Sequence, residues 1–308
     1  AEAGLVEEER TLGVVMSDFD NDGDLDVCFT NVGQPNRLHV NISEEPGTMP
    51  QFEDISIAAG VADSGSGMGI AVGDWTGDAT VDLLVTNWDR ELNAIFQNLG
   101  NSDGELTFRQ STFRIGLAGL GNNQTGWGTA LEDFDNDGDN DMLIVNGHVP
   151  ITDLEEDAQL VRLYGNLGME GEPGRFADWT GPVGFETLGP LMARGSAVAD
   201  FDNDGDLDVA INTIAGEAVL LRNDNPTGHW LQVDPGLAPG VVVTITANGK
   251  TQVREQHLGS SYLSSEDHRL HFGLGDATVV SQVRVQWPDG TTTIERNVAA
   301  DQLLVVER

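Results

Sequence analysis

Aspartates recur at alternate positions in three nine-residue stretches of this chain. The first is Asp18-Phe-Asp20-Asn-Asp22-Gly23-Asp24-Leu-Asp26, its copies begin at Asp133 and Asp200, and a degenerate copy begins at Asp74. Carboxylates at positions 1, 3, 5 and 9 suit a hard cation such as Ca²⁺, which takes about six to eight oxygen ligands. The glycine at position 6 permits positive φ, so that the position-7 carbonyl can also turn inward. These stretches are therefore predicted to be calcium loops.

An EF-hand is the nearest alternative to this interpretation. It requires a bidentate Glu at loop position 12 and a helix on each side, whereas position 12 here is Phe29, Val85, Ile144 or Ile211. A β-rich apolar run follows each loop, which favours a loop inside a β-hairpin. A solvated acidic turn that binds no ion is the other alternative, and it applies most to the degenerate copy.

The loops are the centre of a longer repeat, because they begin 56, 59 and 67 residues apart. Each repeat has a short glycine-marked strand before the loop, an apolar strand after it and a third segment that ends in Asn. A fourth segment carries a phenylalanine in the first three repeats. Four short strands per repeat predict blades of a β-propeller in an all-β protein. The opening residues match the tail of a fourth segment and the last repeat lacks one, so we expect four visible blades of an incomplete propeller and a chain that is part of a longer one.

The composition of the chain changes after Asn223. Strongly alternating segments from His229 onward read as strands, and Pro288-Asp289-Gly290 predicts a tight turn between two of them. We therefore divide the chain into a propeller region, residues 1–227, and a small β-sandwich domain, residues 228–308.

The repeat region resembles the FG-GAP/VCBS repeats of integrin α-subunit propellers and of many exported bacterial proteins. That resemblance implies that the side chains at loop positions 1, 3, 5 and 9 and the carbonyl at position 7 hold Ca²⁺. The degenerate loop has Thr76 in place of an acid and Ala79 in place of the glycine, so we expect three strong calcium sites and a fourth that is weak or empty. The implied metal residues are Asp18, Asp20, Asp22, Asp24 and Asp26; Asp74, Thr76, Asp78, Thr80 and Asp82; Asp133, Asp135, Asp137, Asp139 and Asp141; and Asp200, Asp202, Asp204, Asp206 and Asp208.

The second domain resembles the ASPIC/UnbV domain that follows such repeats in the cartilage acidic protein family. The match is carried by Gly228-His-Trp-Leu, Thr251-Gln-Val-Arg-Glu, Gly259-Ser-Ser-Tyr-Leu, Leu270-His-Phe-Gly-Leu-Gly and Val285-Gln-Trp-Pro-Asp-Gly. A shorter stretch at residues 235–240 replaces the family's Asn-Arg…Gly-Ile-Gly-Ala segment. The resemblance implies an architecture and no particular reaction.

The charge of the chain limits its partners. Fifteen Lys and Arg against 51 Asp and Glu give a net charge of −36. Such a surface repels nucleic acid and anionic membranes, so we expect no nucleic-acid partner. The sequence has no run of eighteen apolar residues, so we expect no membrane insertion. Cys28 is the only cysteine, which excludes an intrachain disulfide. Loops of this kind fill at extracellular calcium concentrations, so we expect an exported protein, extracellular, periplasmic or at the cell surface.

Two functions remain open from the sequence. The first is a non-catalytic interaction or adhesion module, rigidified by Ca²⁺, with a protein or glycan partner. The second is a lyase or hydrolase that acts on polysaccharide, for which a rare basic patch in a cleft would be the mark. No catalytic residue is predicted. His268 and His271 lie beside a Ser-Ser-Glu-Asp turn and are interpreted as a surface pair rather than a metal site.

Overall fold

The computed structural model describes residues 3–5, 9–43, 49–102, 105–117, 119–169, 171–224 and 227–308. Within these residues the chain forms six sheets, and its two helices are only four residues long. The predicted all-β class is confirmed.

The first four sheets are antiparallel and follow the chain order, as propeller blades do. In each of these sheets the acidic loop joins the first strand to the second. Blade 1 contains β1 (Thr11–Ser17), β2 (Asp26–Asn31), β3 (Arg37–Asn41) and β4 (Phe52–Asp54), followed by α1 (Ser56–Ala59). Blade 2 contains β5 (Gly67–Gly73), β6 (Asp82–Asn87), β7 (Ala94–Ser102) and β8 (Glu105–Gln110). Blade 3 contains β9 (Gly126–Glu132), β10 (Asp141–Asn146), β11 (Arg162–Asn166) and β12 (Phe176–Asp178), followed by α2 (Phe185–Leu188). Blade 4 has three strands, β13 (Ala193–Ala199), β14 (Asp208–Thr213) and β15 (Val219–Leu221).

A separate apolar core fills each seam between neighbouring blades. Phe19 of blade 1 packs edge-on against Phe108 of blade 2, and Trp75 of blade 2 contacts Phe176 of blade 3. The innermost strands β1, β5, β9 and β13 come into direct contact along these seams. A Cβ on Gly69 would lie 1.9 Å from the Trp127 carbonyl oxygen, so only glycine fits there. Glycine is required in the same way at Gly128, where a Cβ would lie 2.6 Å from the Ser196 backbone nitrogen, whereas a Cβ on Gly195 would meet the Tyr262 carbonyl oxygen of the sandwich at 2.8 Å.

The C-terminal domain is a sandwich of two sheets. Its strands are β16 (His229–Asp234), β17 (Val242–Ala247), β18 (Lys250–Glu255), β19 (Leu270–Gly275), β20 (Val279–Gln286), β21 (Thr292–Ala299) and β22 (Gln302–Val305). One sheet has the order β19-β16-β22 and the other β18-β17-β20-β21. Alternate side chains of both sheets, among them Leu231, Ile245 and Phe272, are fully buried between them. The predicted turn at residues 288–290 joins β20 to β21, with Gln286 opposite Thr292.

Residues 258–264 of the sandwich, here called the central segment, run between the innermost strands of the four blades. Leu258 forms a β-bridge with Met16, and Ser261 forms one with Ile70. The Ser261 hydroxyl accepts hydrogen bonds from the backbone N–H groups of Thr129 (3.1 Å) and Ser196 (3.2 Å). One short segment therefore contacts β1, β5, β9 and β13 at once and fixes the sandwich on the blades.

Candidate metal centre

The acidic loops close on the carboxylate at position 1. Asp18 Oδ1 accepts a hydrogen bond from the Asp22 N–H (3.0 Å), and its Oδ2 accepts one from the Gly23 N–H (2.9 Å). Asp133 and Asp200 accept from the equivalent N–H groups of their own loops. The loop reverses through two residues of positive φ, Asn21 at 60° and Gly23 at 98°. The sequence predicted the second of these and missed the asparagine at position 4.

The carboxylate at position 9 joins the loop to the third strand of its own blade. Asp26 accepts hydrogen bonds from the N–H of Phe19 (2.9 Å) and from that of Asn41 (2.8 Å). The equivalent pairs of bonds form at Asp82, Asp141 and Asp208. These aspartates therefore have a structural task in addition to any ligand role.

The asparagine that ends the third segment of each repeat links one blade to the loop of the blade before it. The Asn98 side-chain amide donates to the Phe19 carbonyl at 2.9 Å, and Asn166 and Asn223 donate in the same way to the carbonyls of Trp75 (2.9 Å) and Phe134 (2.8 Å). Sequence reasoning had used this asparagine only as a marker of the repeat. Its recurrence at a fixed place in every copy was the signal that could have identified it.

Three loops bring carboxylate oxygens within 4.8 Å of one another. The groups are Asp18, Asp20 and Asp22; Asp133, Asp135 and Asp141; and Asp200, Asp202 and Asp208. Position 5 completes the first group, whereas position 9 completes the other two. In the described part of the chain the loop at Asp74 forms no such group.

The remaining predicted ligands have other contacts. The side chain of Asp139 accepts from the Met169 N–H (2.9 Å), and that of Asp206 accepts from the Asn136 amide (2.8 Å). Asp137 and Asp204 are at position 5 of their loops, two residues before Asp139 and Asp206. Asp202 pairs with the exposed Arg222 at 3.1 Å. The Asp24 N–H donates to Asp22 Oδ1 at 2.9 Å. The position-7 side chains of Asp139 and Asp206 are thus directed to neighbouring contacts, and the family resemblance implies that the position-7 carbonyl is the metal ligand.

The degenerate loop has a backbone conformation like that of the other loops, but it offers weaker metal ligands. Ala79 has φ of 68°, the left-handed conformation predicted for it. The carboxylate of Asp74 accepts from the N–H groups of Asp78 (3.1 Å) and Ala79 (2.8 Å). Thr76 and Thr80 use their hydroxyls within the loop, towards Asp74 (3.4 Å) and Asp78 (2.5 Å) respectively.

Burial and mutual repulsion raise the pKa values of these carboxyl groups. Burial, followed by the charges of Asp22 and Asp20, raises the pKa of Asp18 to about 6. Burial raises the pKa of Asp26 and of Asp82 to about 8, and holds that of Asp141 well above its ordinary value. In each case burial is the largest cause, and repulsion between neighbouring carboxylates adds to it.

This donor set fits a hard divalent cation. Each group offers three closely spaced carboxylates and no sulfur or imidazole donor, which is the chemistry that Ca²⁺ prefers. A bound cation would offset both the burial and the repulsion that raise the pKa values. The residues that would hold it are the three aspartates of each group, together with the position-7 carbonyls of their loops.

The sandwich covers the edge of the blades on which the loops lie. Glu255 accepts a hydrogen bond from the Asp18 N–H (3.1 Å), and the Gly275 N–H donates to the Asn136 carbonyl (2.8 Å). His271 Nε2 lies 2.8 Å from Asn136 Oδ1. The prediction of an exposed histidine pair is therefore wrong for His271, which is 4% exposed because β19 packs its side chain against loop 3.

A cavity of about 110 Å³ remains between the sandwich and the blades. Its lining includes Glu132, Arg254, Glu255, His257 and Glu266. Burial raises the pKa of Glu132 and of Glu255 to about 7 and that of Glu266 to about 8, and lowers that of His257 to about 4. These shifts all favour neutral side chains inside the interface.

Comparisons with known proteins agree with both resemblances. Residues 18–85 match the FG-GAP-like repeat, and residues 235–308 match the ASPIC and UnbV domain. Over 98% of its length the chain is 28% identical to cartilage acidic protein 1 of Mus musculus and 29% identical to that of Homo sapiens. It covers 45% and 44% of these relatives, so the chain spans less than half of their length. The resemblance predicted from the sequence is confirmed.

The described residues contain no helix of the length and apolarity needed to span a membrane.

Proposed function

We propose that this chain is an exported calcium-binding protein that acts as a non-catalytic interaction or adhesion module. The observation that carries the proposal is a group of three closely spaced carboxylates in three of the four loops, at 18–22, 133–141 and 200–208. The loops that begin at Asp18 and Asp133 are also hydrogen-bonded to the following blade, through Asn98 and Asn223. Bound Ca²⁺ would neutralise the crowded carboxylates, and the loops would then hold the blade seams rigidly.

Export is supported by the chemistry of the loops and by the relatives. Calcium sites of extracellular modules work at roughly 10⁻⁴ to 10⁻³ M, concentrations that the cytosol does not supply. The similar proteins are named cartilage acidic protein, and this chain shares strong acidity at a net charge of −36. The single cysteine, Cys28, is buried in β2, where burial raises its pKa to about 12 and keeps it a thiol.

The size of the cavity between the sandwich and the blades argues against polysaccharide chemistry at that place. Pockets for small molecules measure about 300–1,000 Å³, whereas this cavity measures about 110 Å³. Two arginines outside that cavity are engaged with carboxylates, Arg37 with Asp54 and Arg162 with Asp178. A protein or glycan partner would bind a surface of the blades that the sandwich does not cover.

Thermal unfolding with calcium and after its removal tests the calcium role. At free calcium about a hundredfold above Kd, each filled site adds roughly 2.7 kcal/mol to the free energy of unfolding. Three sites would rival the roughly 5–15 kcal/mol of an ordinary domain. We expect a large fall of Tm on chelation, and an unchanged Tm would contradict the proposal.

The interaction role needs a second experiment. A glycan and protein array probed with the calcium-loaded chain should give specific binding that chelation abolishes. Turnover of a polysaccharide by the same preparation would instead support the enzyme alternative.

A further inference from the structure

The loop that begins at Asp200, loop 4, has its first carboxylate held by the C-terminal sandwich. Gln232 Nε2 donates to Asp200 Oδ2 at 2.8 Å, and the same oxygen accepts from the Gly205 N–H at 3.1 Å. Gln232 and Asp200 are 3% and 2% exposed. Arg269 donates to the Asp200 carbonyl (2.9 Å) and to Asn203 Oδ1 (2.9 Å). Two sandwich side chains therefore fix this loop from outside.

The sandwich meets the other two carboxylate groups differently. Glu255 contacts the backbone N–H of Asp18 and leaves its carboxylate to the N–H groups of Asp22 and Gly23. The carboxylate of Asp133 likewise accepts from its own loop. Within the described residues, no sandwich side chain donates a hydrogen bond to either of these carboxylates. Loop 4 is distinct in this respect.

We propose that calcium binding by loop 4 is coupled to the packing of the C-terminal sandwich on the blades. Gln232 and Arg269 are the positioning residues, since both hold Asp200. The inference rests on the proposed calcium binding. Hydrogen bonds from outside the ligand shell orient ligating carboxylates, and their loss typically weakens metal binding about 10- to 100-fold. Gln232 orients the carboxylate of Asp200 beside its partners in the group. Since coupling between two binding events is reciprocal, the ion must strengthen the seating of the sandwich by the same factor.

Asn136 of loop 3 extends this contact. Its side-chain amide donates to Asp206 of loop 4 at 2.8 Å, which leaves Oδ1 as an acceptor facing His271 Nε2. Burial, followed by the charges of Arg254 and Arg269, lowers the pKa of His271 to about 3, so the ring is neutral and Nε2 carries its proton. Asn136 thus joins loop 3 to loop 4 and to β19, so the sandwich packs against both loops at this residue.

Calorimetric titration with Ca²⁺ of the full chain and of Gln232→Met tests the coupling. Methionine has nearly the same shape and cannot donate to Asp200. We expect one equivalent to bind about 10- to 100-fold more weakly and the others to keep their Kd. The matched control is Gln302→Met, because the Gln302 amide donates within the sandwich, to the Ala299 carbonyl at 2.7 Å. It should leave every Kd unchanged.

A second variant, Arg269→Lys, keeps the charge and loses the planar fork that spans Asp200 and Asn203. We expect it to weaken the same equivalent. If both variants keep every Kd, or if all equivalents weaken together, positioning by the sandwich is wrong.

The reciprocal effect is measured by amide hydrogen exchange of the unsubstituted chain. The N–H groups of Leu258 and Gly275 donate across the interface, to the carbonyls of Met16 and Asn136. Removal of calcium should lower their protection more than tenfold while amides of β17 keep theirs. A chain that binds no Ca²⁺ at all would refute the proposed function. Normal calcium binding with unaltered protection of Leu258 and Gly275 would refute the coupling alone.

Discussion

The side-chain amide of Asn166, at the end of β11, donates a 2.9 Å hydrogen bond to the carbonyl of Trp75, which lies 91 residues earlier in the loop of the preceding blade. The same amide donates to the Asn140 carbonyl at 3.0 Å. Asn166 is 1% exposed, so neither carbonyl could turn to water if the amide were absent. This residue therefore closes the seam between blades 2 and 3.

Asn166→Ala should lower the free energy of unfolding by about 1–3 kcal/mol, because it leaves two carbonyls without their donor. Chemical denaturation at saturating calcium measures the change. Asn101→Ala, at an exposed position of β7, is the control and should change stability by less than about 0.5 kcal/mol. Equal effects of the two substitutions would show that the seam does not depend on this amide.

Ser261→Ala should loosen the central segment. The hydroxyl accepts from the N–H groups of Thr129 and Ser196, and both would lose an acceptor inside the protein. We expect a loss of about 1–3 kcal/mol in thermal or chemical unfolding. Ser281→Ala removes a hydroxyl from an exposed position of β20 and serves as the comparison. A Ser261 variant as stable as this comparison would contradict the role of the segment.

The degenerate loop should bind calcium weakly. Thr76 supplies a neutral hydroxyl where the other loops have a carboxylate, and Ala79 holds φ of 68° at a cost of roughly 1 kcal/mol. Calorimetric titration should therefore give three tight equivalents. The double substitution Thr76→Asp with Ala79→Gly should add a fourth, since affinity follows the charge and rigidity of the ligands. Four equivalents of one affinity in the unsubstituted chain would show that residue identity does not decide occupancy.

Stability of the calcium-free protein should fall as the pH rises. The pKa of Asp26 and of Asp82 is about 8 in the folded chain, from an ordinary value of 3.8. Between these values the folded state binds more protons than the unfolded state, so stability is present at low pH and is lost as the pH rises through about 8. Melting of dialysed protein should give a lower Tm at pH 8.5 than at pH 5.5. Saturating Ca²⁺ should reduce this fall, because a cation held by Asp18, Asp20 and Asp22 would favour the ionised form of the neighbouring Asp26. A Tm that rises with pH in the calcium-free protein would contradict the expected sign.

The sequence by itself determined the parts of this protein that depend on near neighbours. Strand alternation, the acidic loop of nine residues and the left-handed turn at Ala79 are local, because backbone conformation follows from side chains a few positions away. The spacing of the repeats predicted the blades, and the structure has their strands where the pattern indicated them. The structure decides which carboxylates of a loop lie close together. The carboxylate at position 9 accepts hydrogen bonds from two backbone N–H groups, and it belongs to the close group of carboxylates in only two of the three loops.

Only the tertiary structure decided which distant groups meet. His271 pairs with Asn136 across 135 residues and Gln232 with Asp200 across 32, and no local pattern marks either partner. The interpretation of His271 as a surface residue was wrong for this reason: a polar side chain is buried when another element supplies its hydrogen bond. The contact of residues 258–264 with all four innermost strands likewise arises from the packing of one domain on the other. Sequence patterns report the conformation of a segment, whereas the partner of a buried polar group is set by the arrangement of whole sheets.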